Sequence, residues 1–315
     1  MYKKLKKIFE EKNFRIPLSI PEPQKNLYRE NYLKATQSTG KLFLFAGDQK
    51  IEHLNKDFFY SETSSQLITP RHLFEIANKA RIGAFAAQLG LISHYADDFR
   101  NVNYIVKMNS KTDLVPTELQ DPLSAQLTTI EDVIEFKRIS GLSIVGVGFT
   151  VYLGSMHEAT MLEQASKLIF HAHQHGLITV LWMYPRGIAV KGERHEDIVA
   201  GAAGVAVCLG ADFVKVNPPE APNGLEQAKK LIQATSAAGP TGVICSGGQT
   251  KKPENFLEDL FHQIQIAKVR GAAIGRNVYQ KKLEDAIRFC NAVAAIIIDN
   301  APLEKAQKIW LGSKK

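Results

Sequence analysis

Lys215 sits inside Phe213-Val214-Lys215-Val216, which otherwise reads as a strand buried on both faces and ended by Pro218 and Pro219. An amine in apolar surroundings loses hydration, which disfavours its charged form and lowers its pKa. Neutral lysine attacks carbonyl carbon, and the resulting Schiff base draws electrons from the neighbouring carbon–carbon bond. The competing reading is a structural ion pair between Lys215 and a buried carboxylate such as Asp48. Other chemistry-bearing residues also follow short apolar runs: Asp48 with Glu52 and His53, Lys107, and Trp182, Tyr184 and Arg186 within WMYPRG. Two later runs end in Ser246-Gly247-Gly248 and Gly275-Arg276. A Ser-Gly-Gly turn offers backbone N–H groups with no side chain in the way, and a guanidinium nearby completes a cradle suited to a phosphate dianion.

These residues share one mouth only if the runs before them are parallel strands of one sheet. The pattern predicts eight strands, at 41–48, 82–88, 103–108, 143–149, 177–183, 211–216, 241–246 and 271–275. Helical periodicity lies between most of them, at 71–80, 131–139, 157–175, 196–209 and 224–238. PENFLEDLFHQIQIAK is a further amphipathic segment, and 283–298 follows the last strand. Eight β–α units in about 240 residues predict an α/β fold, a closed (β/α)8 TIM barrel, with chemistry at the carboxyl ends of the strands and phosphate after strands seven and eight. The rival is an open doubly wound sheet, but no GxGxxG follows the first strand. Strands two and three stand close together, so only a clipped helix fits between them. The organisation is an N-terminal extension over 1–40, packed on the barrel or a neighbouring subunit, a barrel over 41–282, and a C-terminal helix and tail over 283–315.

Composition narrows the function classes. The longest apolar runs are too short for a membrane span, and MYKKLKKIFEEKN has no apolar stretch of signal-peptide type. Cys208, Cys245 and Cys290 are far apart, an odd number without a CxxC pair, which predicts free thiols and a reducing cytoplasm. Of the net charge of +7, +6 falls within residues 1–41, which hold ten Lys or Arg against four Glu. That places the charge on a terminal arm rather than around a working surface, and argues against nucleic acid. His171, His173 and His175 in IFHAHQHGL read as a surface helix terminus, not a metal site, and Cys245 as a small buried residue. Lys107 could tune Lys215, bind substrate or pair with Asp48, and Glu52 and His53 could line the pocket or fix their loop.

Taken together, DQKIEH, VKMNSKT, GFTVY with Gly154-Ser155, WMYPRG, GADFVKV, SGG and GRNVYQ, in order over residues 40–282, resemble the archaeal-type class I fructose-bisphosphate aldolases. The resemblance implies a metal-free and cofactor-free Schiff-base mechanism on a phosphorylated sugar. It also implies a cytoplasmic homo-oligomer, often a decamer of two pentameric rings. Residue by residue it assigns the Schiff base to Lys215, acid–base work to Tyr184 beside Trp182, and substrate hydroxyls to Asp48. Arg186, Lys107 and His53 are further substrate-binding candidates, and Ser246, Gly247, Gly248, Gly275 and Arg276 form the phosphate cradle. Arg186 and Lys215 are expected to tune the Tyr184 phenol toward basicity. Lys50 and Leu54 stand where many relatives carry glycine. A transferase on the same scaffold, such as an aminodideoxyheptulosonate synthase or a phospho-autoinducer thiolase, would use the same lysine and cradle.

Overall fold

The computed structural model describes residues 15–58, 69–115 and 119–312. Eight parallel strands close into a barrel: β1 Leu42–Ala46, β2 Ala84–Ala87, β3 Tyr104–Lys107, β4 Ile144–Leu153, β5 Ile178–Pro185, β6 Phe213–Val216, β7 Gly242–Ser246 and β8 Gly271–Ile274. Closure is made by β1 against β8, with Leu42 opposite Gly271 and Phe45 opposite Ile274. Nearly every strand residue is buried, because helices cover the outer face and side chains fill the inside.

The longer helices mostly fall where the periodicity places them, although the one before β1 lies in a segment read only as an extension. They are α1 Lys25–Ala35, α2 Arg71–Lys79, α3 Leu89–Tyr95, α4 Ile130–Ser140, α5 Glu158–Gln174, α6 Glu196–Cys208, α7 Gly224–Ala237, α8 Pro253–Gln265, α9 Leu283–Ile297 and α10 Leu303–Leu311. Thr129 and Asp132 form a capping box that starts α4, and Gly141 in the left-handed region ends it. As the short spacing requires, the connection between β2 and β3 holds only the seven residues of α3 and a single 3-10 turn.

Two differences from the sequence reading bear on function. β4 and β5 run to Leu153 and Pro185, pairing in register from Gly146↔Ile178 to Leu153↔Pro185. The expected ends at 149 and 183 fall short, so Tyr184, like Trp182, is held by a strand rather than a loop. The second difference is α10, a further helix after α9. Its Trp310 packs edge-on to Phe289 at 5.9 Å, and its indole N–H donates to Glu254 Oε1 at 2.8 Å.

The N-terminal end of the barrel is covered by α1. Tyr32 stacks on Phe213 at 5.6 Å, and Asn31 Nδ2 donates to Gly176 O at 2.8 Å. Asp212 is the hub of this floor, accepting from the Tyr28 hydroxyl, the Thr179 N–H at 2.7 Å and the Thr179 hydroxyl at 3.0 Å. His173 completes it, with Nε2 3.2 Å from Asp212 Oδ2 and Nδ1 2.7 Å from Ser19 Oγ. The expectation of a surface histidine cluster therefore fails for His173, which is buried, and holds for His171 on the outer face of α5. His173 lies two residues from His171, so the helix turns it toward the barrel.

Candidate active site

Lys215 leaves β6 with its amine on the barrel interior, next to Trp182 in the β5–β6 register. Its Nζ lies 5.5 Å from the centre of the Trp182 ring and 5.9 Å from that of Tyr184. The indole fits because residue 148 on the neighbouring strand is glycine: a Cβ there would stand 2.2 Å from the ring. Asp48 ends β1, its backbone carbonyl held by Gln88 Nε2 at 2.9 Å, while its buried Oδ1 has no hydrogen-bond partner among the described residues. Trp182 Nε1 and Gln49 Oε1 are likewise buried without partners. Unpaired buried polar atoms are costly unless a ligand or water meets them, and these gather around one cavity.

That inner cavity of about 90 Å³ is lined by Asp48, Glu52, His53, Trp182, Tyr184, Arg186 and Lys215 on one side, and by Asn217 and the glycine loops on the other. It opens into a cleft of about 400 Å³, with which it shares Arg186, Asn217, Ser246, Gly247, Gly248 and Arg276. A larger cavity of about 650 Å³ lies at the opposite end of the barrel, lined mainly by apolar residues. No set of unpartnered polar groups converges there among the described residues, so the chemistry belongs to the smaller space.

The electrostatics correct two expectations. Burial pulls the Lys215 ammonium down, but Tyr184, Asp48 and Glu52 together outweigh it and hold its pKa above the ordinary lysine value. Lys215 therefore rests as an ammonium, not as the neutral amine that desolvation alone dictates. Tyr184 is pushed up by burial, and Glu52 and Asp48 reinforce that against the opposing pull of Lys215. Its phenol keeps its proton at neutral pH, so the predicted tuning toward a base is not what the site does. Arg186 lies 5.1 Å above the Tyr184 ring but spends part of its charge on Glu193 Oε2 at 3.2 Å.

Lys107 is buried yet does not line the cavity. It sits 5.3 Å from the Trp182 ring and donates to Asn109 O at 2.8 Å and Asn109 Oδ1 at 2.9 Å. Burial lowers its pKa to about 8, against the pull of Asp48 and Glu52. Asn109 also holds Thr150 N at 2.7 Å and Thr150 O at 2.8 Å, so this lysine braces β3 against β4.

At the other side, Ser246, Gly247, Gly248, Gly275 and Arg276 line the same cavity, as the sequence suggested. Ser246 Oγ donates to Asn217 Oδ1 at 2.7 Å. Asn277 fixes the loop by donating to Gly247 O at 2.9 Å and Gln249 O at 3.1 Å while accepting from Lys251 N at 2.9 Å. One detail departs from expectation: the Gly247 N–H is committed to Ala273 O at 3.0 Å, so that residue contributes room, not a donor. A Cβ at Gly275 would meet Gln49 Oε1 at 2.0 Å, so a larger residue there would displace the Gln49 amide that lines the cavity.

Sequence reading missed Gln49, Asn217, Asp57 and Asn277. Asn217 could have been found by strand period, since it lies two residues beyond Lys215 on the same face. Asp57 and Asn277 act through other residues, and no spacing marks them. Cys245, in contrast, is buried as expected, its thiol pushed up to about 12 by burial.

One group has metal-ligating composition among the described residues: Glu52, His53 and Asp113, with ligand atoms within 4.8 Å of one another. Each is already engaged. Tyr152 OH donates to Glu52 Oε1 at 2.7 Å, Lys111 Nζ to Asp113 Oδ1 at 2.6 Å, and His53 Nδ1 pairs with Asp57. Burial draws the His53 pKa down, but Asp57 and Glu52 raise it overall.

A barrel with a lysine on its sixth strand, facing a carboxylate, a phenol and an anion cradle, is an aldolase-type (β/α)8 barrel. The chain belongs to the DeoC/LacD family of aldolases, whose pattern it matches over residues 42–281. It is 51% identical over its whole length to a Methanocaldococcus jannaschii protein named fructose-bisphosphate aldolase/6-deoxy-5-ketofructose 1-phosphate synthase, 99% of which is covered. A solved fructose-bisphosphate aldolase from Slackia heliotrinireducens superposes with a TM-score of 0.92, at 48% identity and over 96% of this chain and 95% of the other. An archaeal fructose-1,6-bisphosphate aldolase, solved with its catalytic lysine covalently bound to the carbinolamine intermediate, matches 87% of this chain and all of its own, with a TM-score of 0.72 and 31% identity. No helix among the described residues is long and apolar enough to cross a membrane.

Proposed function

We propose that this protein is a class I aldolase that cleaves fructose 1,6-bisphosphate reversibly to dihydroxyacetone phosphate and glyceraldehyde 3-phosphate through a Schiff base on Lys215. The observation that carries the reading is the placing of Lys215, Tyr184 and Asp48 around one cavity with the Ser246–Arg276 cradle at its side. The cradle takes the phosphate on C1, which brings C2 toward the amine. Lys215 first gives a proton to the unpartnered Oδ1 of Asp48, then attacks the C2 carbonyl. Tyr184, held protonated by burial, donates to the departing hydroxyl, and water leaves the carbinolamine. The iminium then accepts the electrons of the C3–C4 bond while the C4 hydroxyl loses its proton to the Tyr184 phenolate left by the earlier step, or to Asp48 once Asp48 has returned its proton to that phenolate. The enamine is protonated at C3 and hydrolysed. Acid–base assistance of this kind supplies about 10²–10⁴-fold.

Borohydride reduction with fructose 1,6-bisphosphate present, followed by peptide mass mapping, tests this. The adduct is expected on residue 215 and is expected to be absent in Lys215→Ala. A modified peptide elsewhere overturns the assignment. Incubation with EDTA is expected to leave turnover unchanged, and loss of activity would redirect attention to Glu52, His53 and Asp113. Light scattering is expected to show a homo-oligomer.

A second activity is favoured by the identity to the Methanocaldococcus jannaschii protein, which extends through residues 1–41, outside the family pattern. Splitting a 6-deoxy-5-ketofructose 1-phosphate between C3 and C4 leaves dihydroxyacetone phosphate and a three-carbon ketoaldehyde. The same enamine on Lys215 would make that sugar by accepting the ketoaldehyde in place of glyceraldehyde 3-phosphate. Supplying fructose 1,6-bisphosphate with 2-oxopropanal and following the new ketose by mass spectrometry distinguishes cleavage alone from transfer.

A further inference from the structure

Asp57 lies outside the cavity, yet its carboxylate meets groups from both sides of the site. It pairs with His53 Nδ1 in the loop after β1, accepts from Tyr279 OH at 3.2 Å and stands 3.8 Å from Arg276 Nε. Its backbone carbonyl accepts from Gln280 Nε2 at 3.0 Å, and the adjoining Phe58 ring stacks on Tyr279 at 4.5 Å. The segment after β1, which carries Asp48, Glu52 and His53, is thus fastened to the single turn Arg276–Tyr279 that follows β8. Arg276 Nε is buried and makes no hydrogen bond among the described residues. The nearest anion to that edge of the guanidinium is Asp57.

We propose that Asp57 is a positioning residue for the phosphate end of the site. Its charge draws the Nε edge of Arg276 outward and thereby presents the terminal nitrogens to the bound phosphate, while His53 and Tyr279 hold the carboxylate in place. The inference rests on the reading that Arg276 binds phosphate. Two opposed effects are present, because a carboxylate behind the guanidinium also repels a dianion. Orientation wins here: Arg276 lies between the two anions, and a planar fork loses most of its strength when misaligned.

The measurement is competitive inhibition by inorganic phosphate, beside KM and kcat for fructose 1,6-bisphosphate, in Asp57→Asn, Asp57→Glu, Arg276→Met and the double variant Asp57→Asn/Arg276→Met. Loss of charge-assisted hydrogen bonds in Arg276→Met is expected to weaken phosphate about 10–100-fold. Asp57→Asn is expected to weaken it about fivefold, with a matching rise in KM and kcat within about twofold, and to have no effect once Arg276 is gone. Asp57→Glu, which keeps the charge but displaces it, is expected to fall between wild type and Asp57→Asn. A carboxylate that merely packs the loop would change the melting temperature and leave phosphate inhibition where it was, which overturns the proposal. So would tighter phosphate binding in Asp57→Asn, or an undiminished effect in the double variant. If Arg276→Met itself leaves phosphate inhibition unchanged, the cradle reading fails and the role of Asp57 fails with it.

Discussion

At the residue scale the working feature is a lysine that starts charged. Tyr184, Asp48 and Glu52 together raise its proton affinity more than burial lowers it, so in the proposed mechanism the nucleophile forms when a proton moves to Asp48. Asp48→Asn removes both that acceptor and the charge that holds the ammonium. Turnover is expected to fall about 10²–10³-fold, while the pH midpoint for borohydride trapping moves downward. The sign follows from the carboxylate: without it the ammonium is less favoured, so neutral amine appears at lower pH. An unchanged midpoint would mean that Asp48 does not set the proton affinity of Lys215. The type and place of the lysine were legible in the sequence, because a cation inside an apolar run has few explanations. Its protonation state was not, since that depends on three-dimensional distances to Asp48, Tyr184 and Glu52, residues from two other strand ends. The same applies to Lys107, whose amine is tied to Asn109.

At the scale of elements, β4 and β5 shape the pocket. Their long parallel pairing puts Tyr152 opposite Tyr184, with ring centres 6.3 Å apart, and the Tyr152 hydroxyl donates a hydrogen bond to Glu52. Between these strands the contact of Gly148 with Trp182 leaves no space for a methyl group. Gly148→Ala is expected to cost about 1–3 kcal/mol in stability and to reduce kcat at least tenfold by displacing the indole beside Lys215. Chemical denaturation and steady-state kinetics on the same preparation check both; a variant with normal kcat would show that the indole position is not critical. All eight strands could be read from apolar runs and the intervening helical period. The extent of β4 and β5 could not, because the last residues of each are held on the ladder by the other strand, a pairing that no local pattern shows.

At the scale of the whole molecule, the described residues before 41 are part of the barrel floor. Local pattern could not reveal this, because Ser19, Tyr28 and Tyr32 meet partners more than 150 residues away. Asp212→Ala would leave the Tyr28 hydroxyl, His173 and both Thr179 donors without their acceptor. The expected loss is about 3–5 kcal/mol, seen as a lower melting temperature, with near-normal turnover in the folded fraction. An unchanged melting temperature would contradict the importance given to this network. Asp212 stands three residues before Lys215, at the root of the four-residue strand that carries the amine. A chain begun at residue 41 would therefore not be a minimal enzyme: it would open Phe213 to water and release the foot of the rod on which the nucleophile is mounted.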